Sequence, residues 1–250
     1  MTIEHDEELE ALRRVGQLVA RVVRHMQASM APGMTTAELD AIGERMLLDA
    51  GAQPAPRLEV GFPGATCISV GEEVAHGVPG DRVLQRGELI NIDVSAELGG
   101  FFADTGASFT VGAPPSRAQD RLLKATQAAM HQGIRAARHG HPIRLIGKRM
   151  EEVARRAGYD VMRDLCSHGV GRALHEAPGH IPGYHDPKLR GALWEGCVIT
   201  VEPFLTTGAV VTTEAADGWT LRNRPGSMTA QFEHTIVVTR GAPIILTLPD

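Results

Sequence analysis

The chain has 250 residues, 43% hydrophobic, 22% charged and only 4% aromatic, with 28 glycines and 15 prolines; such a chain buries roughly 70 to 75% of its unfolded surface, which excludes disordered and fibrous classes. Its formal charge of −5 comes without any long run of Lys or Arg, so the usual footprint of a nucleic-acid binder is missing and no nucleic acid is expected as a partner. No apolar run reaches the about 18 residues that span a bilayer, and the acidic start MTIEHDEELE is the opposite of a signal peptide, so no membrane association and a cytoplasmic location are expected.

From Glu7 to about Ser29, apolar residues recur at Leu9, Leu12, Leu18, Val19, Val22, Val23 and Met26, which predicts an amphipathic helix ended by the APGM stretch. A second helix is expected after Thr35, with Glu38 in the capping-box position and a stop at Gly51. Residues 118 to 138 and 142 to 157 repeat this pattern. Sliding the chain by 107 residues brings Gly33 onto Gly140, Leu39 onto Ile146, Met46 onto Val153, and the Ala50-Gly51 pair onto Ala157-Gly158. The expected build is therefore one domain, residues 1–250, of two pseudo-symmetric halves (about 1–112 and 113–250), each a helix pair followed by antiparallel strands. No Ser/Gly-rich or charge-dense linker separates them. Cys67, Cys166 and Cys197 are far apart and show no C-x-x-C pairing, which points away from a disulfide framework.

The stretch NIDVSAELGGFFADTGASF, residues 91 to 109, sets two strand-like runs on either side of Gly99-Gly100, and each run carries an aspartate where a core residue would be expected. A two-residue hairpin turn at the glycines pairs Asp104 with Ser95. Asp93 then shares Asp104's face as a diagonal neighbour, about 7 Å away between Cβ atoms. Two carboxylates held this close in apolar surroundings raise one another's pKa or bind a cation. Farther along, VITVEPF offers Glu202, TAQFEHTIVV places Glu233 and His234 in another strand-like run, and SHGVGRALHEAP offers His168 and His175. Taken singly, a strand glutamate is usually an edge residue and a histidine a hydrogen-bonded core or surface group. Four carboxylates embedded in apolar strands with one histidine suit two divalent cations about 3.5 to 4 Å apart, which would lower the pKa of a shared water and favour metal-assisted hydrolysis. Oxygen ligands with one imidazole suit Mn, Fe or Co, with Zn also open.

Asp93 and Asp104 eleven apart, HGVGRALHEAP, TVEPF and AQFEHTIVV, in this order and spanning nearly the whole chain, resemble type I methionine aminopeptidase. The resemblance implies the α+β pita-bread fold, a pseudo-two-fold antiparallel sheet with helices packed on its outer face. It implies that Asp93, Asp104, His168, Glu202 and Glu233 hold a dinuclear metal centre, with Asp104 and Glu233 bridging and Glu202 also assisting proton transfer. His76 and His175 match the family's two non-ligand histidines near the scissile bond. Phe62, Cys67 and Trp219 fall where the family lines its methionine pocket, and Leu174 adjoins it.

The implied activity is removal of the initiator methionine from newly made proteins. N-terminal methionyl peptides and nascent chains are the implied partners, with transient contact to the ribosome left open and a monomer suggested. A proline-directed peptidase shares the fold and ligands but usually carries an additional N-terminal domain; a non-catalytic binding module would have lost ligands that are all present here. Three departures stand out. Leu174 replaces a common aromatic residue, Ser167 a usual glycine and Phe102 a frequent histidine, while the segment GHIPGYHDP with His180 and His185 is unusual. The lack of a cysteine-rich N-terminal extension implies the short, bacterial-type form.

Overall fold

In the computed structural model, which describes residues 1–249, the described residues form five helices and four antiparallel sheets. The first half opens with α1 (Asp6–Ser29), α2 (Thr36–Asp49) and the short α3 (Ala55–Val60). The second opens with α4 (Arg117–Ala136) and α5 (Arg144–Ala157). Thr35 and Glu38 close the predicted capping box: the Thr35 hydroxyl accepts from the Glu38 N–H at 3.1 Å and the Glu38 carboxylate accepts from the Thr35 N–H at 2.7 Å. Ser116 and Gln119 do the same at the start of α4.

Strand Leu89–Leu98 turns at Gly99-Gly100, both at positive φ (61° and 84°), into strand Phe101–Thr110. Positive φ at both positions is a conformation glycine adopts without strain, which is why the pair suits this turn. The register pairs Ser95 with Asp104 and Asp93 with Gly106, as the hairpin argument required. Alternation then separates two faces. Ile90, Ile92, Val94, Ala96 and Ala103 are buried in a core with Leu12, Val15, Val19 and Met26 of α1 and Leu39 and Leu47 of α2. The other face carries Asn91, Asp93, Ser95, Asp104 and Ser108.

The second half repeats the hairpin with an interruption. Val198–Val201 pairs with His234–Val237, and Phe204–Thr206 pairs with Thr229–Gln231, all in one continuous register that sets Glu202 opposite Glu233. Leu122, Ile134, Ile146 and Met150 from α4 and α5 cover its apolar face, with Ile199, Val201 and Ile236. Glu202 and Glu233 were expected inside strands; both lie instead at breaks between ladder segments. The cause is that their N–H groups leave the ladder, Glu202's donating to Ser167 Oγ at 3.0 Å and Glu233's to the Gly106 carbonyl at 2.8 Å, while Pro203 has no N–H to give.

Candidate metal centre

The two hairpins meet along Phe101–Thr110 and the 229–237 segment, and hydroxyl side chains sew the seam. Thr235 Oγ1 accepts from the Asp104 N–H at 3.0 Å and donates to the Asp104 carbonyl at 2.7 Å, and Thr105 Oγ1 donates to the Glu233 carbonyl at 2.7 Å. These contacts bring Asp104 and Glu233, 129 residues apart in sequence, into one buried cluster with His168, whose ligand atoms all lie within 4.8 Å of one another. His168 comes from strand Cys166–Gly169, which pairs with Val198–Val201. Its Nε2 stands 3.5 Å from Glu202 Oε1 and 3.9 Å from Asp104 Oδ2. Asp93 lines the same cavity, so all five sequence-predicted ligands converge.

Further side chains fix each of these groups. His168 Nδ1 lies 3.0 Å from the Gly169 carbonyl, an arrangement that keeps the proton on Nδ1 and leaves the Nε2 lone pair pointing at the carboxylates. Thr200 Oγ1 accepts from the His168 N–H at 3.0 Å and donates to Glu202 Oε1 at 2.7 Å. Gln231 Nε2 donates to Glu233 Oε2 at 3.0 Å, and Asn91 Nδ2 donates to Gln231 Oε1 at 2.8 Å. Gln231 can lie there because Gly106 has no side chain: a Cβ at that position would come within 2.4 Å of Gln231 Oε1. These partners were not read from the sequence, yet a signal existed. Asn91, Thr200 and Gln231 each precede a carboxylate by two residues, and a period of two places both on one face.

After all these bonds, two buried side-chain oxygens among the described residues still have no partner: Asp104 Oδ1 and Glu233 Oε1. Buried polar atoms in native proteins are almost always satisfied, and these two belong to neighbouring carboxylates. Burial and the adjoining carboxylates push Asp93, Glu202 and Glu233 well above the usual carboxylate range, and burial raises Asp104. Burial, with His175 nearby, lowers His168 to about 3, so the ring is neutral and available as a donor. A cluster of carboxylates that resist ionisation, bare buried oxygens and a neutral imidazole fit divalent cations, whose charge would relieve the repulsion and whose coordination would use the orphan oxygens.

A cavity of about 350 Å³ opens onto this cluster. Its lining includes Phe62, Cys67, Leu174 and Trp219, with His76 and His175, so every sequence-predicted pocket residue reaches it. Phe62 meets Trp219 edge to face at 5.4 Å between ring centres. Asp40 of α2, buried, accepts from the N–H groups of Ala65 and Thr66 and from the Thr66 hydroxyl, anchoring the segment that carries Phe62 and Cys67. His175 lies 4.2 Å from His168 between ring centres. His76 adopts a left-handed backbone (φ 54°) at the end of strand Glu73–Ala75, and its side chain is open to the cavity; the enclosing protein, then His175, lowers its pKa. Of the departures, Ser167 is fully buried and supplies the acceptor for the Glu202 N–H, Leu174 is buried at the cavity wall, and Phe102 belongs to the first core. His180 and His185 are not among the lining residues, although Gly179 is.

The sequence matches metallopeptidase family M24 over residues 10–240. Methionine aminopeptidase 2 of Bacillus subtilis (strain 168) is 45% identical over 248 residues, 99% of each chain. The chain belongs to metallopeptidase family M24, among its methionine aminopeptidases. The crystal structure of methionine aminopeptidase from Rickettsia prowazekii has a TM-score of 0.93 at 35% identity, covering 99% of this chain and 100% of that one. Prolidase from Pyrococcus furiosus shares the fold with a TM-score of 0.80 at 25% identity, but the match spans only 66% of its chain. The architecture of this M24 member is thus the α+β pita-bread fold. No helix among its described residues is long and apolar enough to cross a membrane.

Proposed function

We propose that this metallopeptidase removes the N-terminal methionine from newly made proteins. The observation that carries the reading is the pair of bare oxygens on Asp104 and Glu233, beside His168, at the base of a cavity walled by Phe62, Cys67, Leu174 and Trp219. In this reading Asp93, Asp104, His168, Glu202 and Glu233 would hold two divalent ions, Mn, Fe or Co, with Zn also fitting the donor set, and Asp104 and Glu233 would serve both. Bound there, the ions supply Lewis acidity toward the scissile carbonyl and a nucleophile at neutral pH.

The chain's own residues supply the remaining functions. Glu202, held by the Thr200 hydroxyl and by its N–H to Ser167, takes a proton and returns it to the leaving amine. His76 and His175 contact the substrate backbone and hold the carbonyl as charge develops on it. The edge-to-face Phe62–Trp219 pair and Cys67 give an apolar wall for a flexible thioether. A cavity of about 350 Å³ has room for that side chain and for the scissile bond beside the carboxylates. Residues 1–250 act as one catalytic unit of two halves, about 1–112 and 113–250, as a cytoplasmic monomer that meets nascent chains and, transiently, the ribosome.

The deciding experiment compares release of the first residue from Met-Ala-Ser and Ala-Pro-Ser after EDTA stripping and after adding back Mn or Co. Metal-restored cleavage of the methionyl peptide alone is expected. Cleavage of the prolyl peptide alone would instead assign a proline-directed activity.

A further inference from the structure

The whole-chain charge of −5 hides a segregation. Residues 117 to 157, which form α4, α5 and the turn between them, hold ten of the 25 Lys and Arg but only three of the 30 Asp and Glu. That leaves 15 basic against 27 acidic residues elsewhere, so a helix pair of formal charge +7 rides on a body of −12. Nine of the ten cations are exposed. Eight of the ten are Arg, whose planar fork matches phosphate oxygens two at a time.

Their spacing puts them in order. Arg117, Arg121, Lys124 and Arg135 lie four, three and eleven residues apart along α4, spacings that each return close to one helix face, which places them in one row about 27 Å long at 1.5 Å per residue. Between α4 and α5 lies an open groove of about 530 Å³, rimmed by Arg121 and Lys124 from one helix, Arg156 from the other, and Tyr159, with small apolar side chains (three alanines and Val153) between them. Only Lys124, Arg149 and Arg155 in the pair have a carboxylate at salt-bridge distance among the described residues. Arg117, Arg121, Arg135 and Arg156 have none.

A protein partner would need an apolar anchor, and insertion into a lipid surface would need exposed Trp, Phe or Leu. The exposed large hydrophobic side chains among the described residues, such as Leu58, Val60 and Val211, all lie outside residues 117–157. A long, rigid, arginine-rich face with no exposed large hydrophobic side chain among the described residues fits a regular line of phosphates. We propose that the α4–α5 face binds the phosphodiester backbone of a nucleic acid, by charge and without reading its bases. The inference is independent of the peptidase reading, since none of these residues lines the metal cavity.

The test is a fluorescence-anisotropy titration of a labelled 20-base-pair RNA duplex with the metal-loaded full chain, at several salt concentrations. If four phosphates are neutralised, affinity falls about 150-fold between 50 and 200 mM salt, because each phosphate contributes about 0.9 to the logarithmic slope. Arg117→Glu, Arg121→Glu and Arg156→Glu together should abolish binding, and the milder Arg→Gln set should reduce the salt slope by about three-quarters. Tripeptide cleavage and Tm should be unchanged in both, which separates loss of this face from loss of the fold. No binding at 50 mM salt, or binding that survives the charge reversal, would overturn the proposal. Tighter binding of poly-glutamate than of the duplex would overturn it in favour of an acidic protein partner.

Discussion

The two hairpins at the centre of the molecule share a register rule and differ in their connectors. In the first, Gly99-Gly100 closes Leu89–Leu98 onto Phe101–Thr110 with nothing to spare. In the second, residues 207–228 intervene between the two arms, and they cross the molecule. Thr213–Glu214 and Leu221–Arg222 form a sheet with Glu73–Ala75, the strand that precedes His76. Asp217 accepts from the Trp219 and Thr220 N–H groups and holds Trp219 over the cavity. The short connector therefore makes a rigid platform for carboxylates, and the long one builds a pocket wall from the opposite half. The arms differ as well: Asp93 and Asp104 are diagonal neighbours on an unbroken ladder, whereas Glu202 and Glu233 face each other where the ladder opens.

Substitutions should sort by which of these features they break. The largest effect is expected from Asp104→Ala, which removes from the platform the carboxylate proposed to serve both ions: activity should fall on the order of a thousandfold or more, with both metals lost in an isothermal titration. One unweakened metal site would count against bridging. His175→Ala touches neither hairpin and should lower kcat by about a hundredfold or more while bound metal measured by atomic absorption stays near wild type. Equal losses of activity and metal would make His175 a ligand.

Gly106→Ala tests the meeting point of the hairpins. The new Cβ would displace Gln231, so metal affinity should drop about ten- to a hundredfold, and Gln231→Ala should do the same without a steric clash. If Gln231→Ala leaves metal affinity intact, the amide relay from Asn91 does not orient Glu233.

The smallest effect concerns pH. In the metal-free protein the raised carboxylates bind protons more readily folded than unfolded, so their contribution to stability falls as pH rises above the ordinary carboxylate range. Metal removes that penalty. The rise in Tm on adding Mn should therefore be several degrees larger at pH 7.5 than at pH 5.5. A constant increment across this range would mean that these carboxylates do not hold the metal.

The helices, the capping box at Thr35 and the hairpin register at Gly99-Gly100 were legible in the sequence because each depends on neighbours within a few residues. The four carboxylates proposed as ligands stood out because carboxylates are rare within apolar strand-like runs. The breaks at Glu202 and Glu233 were not, since they arise from hydrogen bonds to Ser167 and Gly106, far away in the chain. The basic face was missed for a related reason: its cations never form a run and line up only once α4 and α5 are wound and packed.

By itself, then, the sequence determined that Asp93 and Asp104 share one strand face, because alternation with a period of two is a local rule. Only the tertiary structure decided that Asp104 and Glu233 would share a buried site with two oxygens left bare, and that Gly106 would make room for Gln231. Those outcomes depend on how closely two separate hairpins approach, and that distance is set by the packing of both helix pairs against the sheet rather than by any stretch of neighbouring residues.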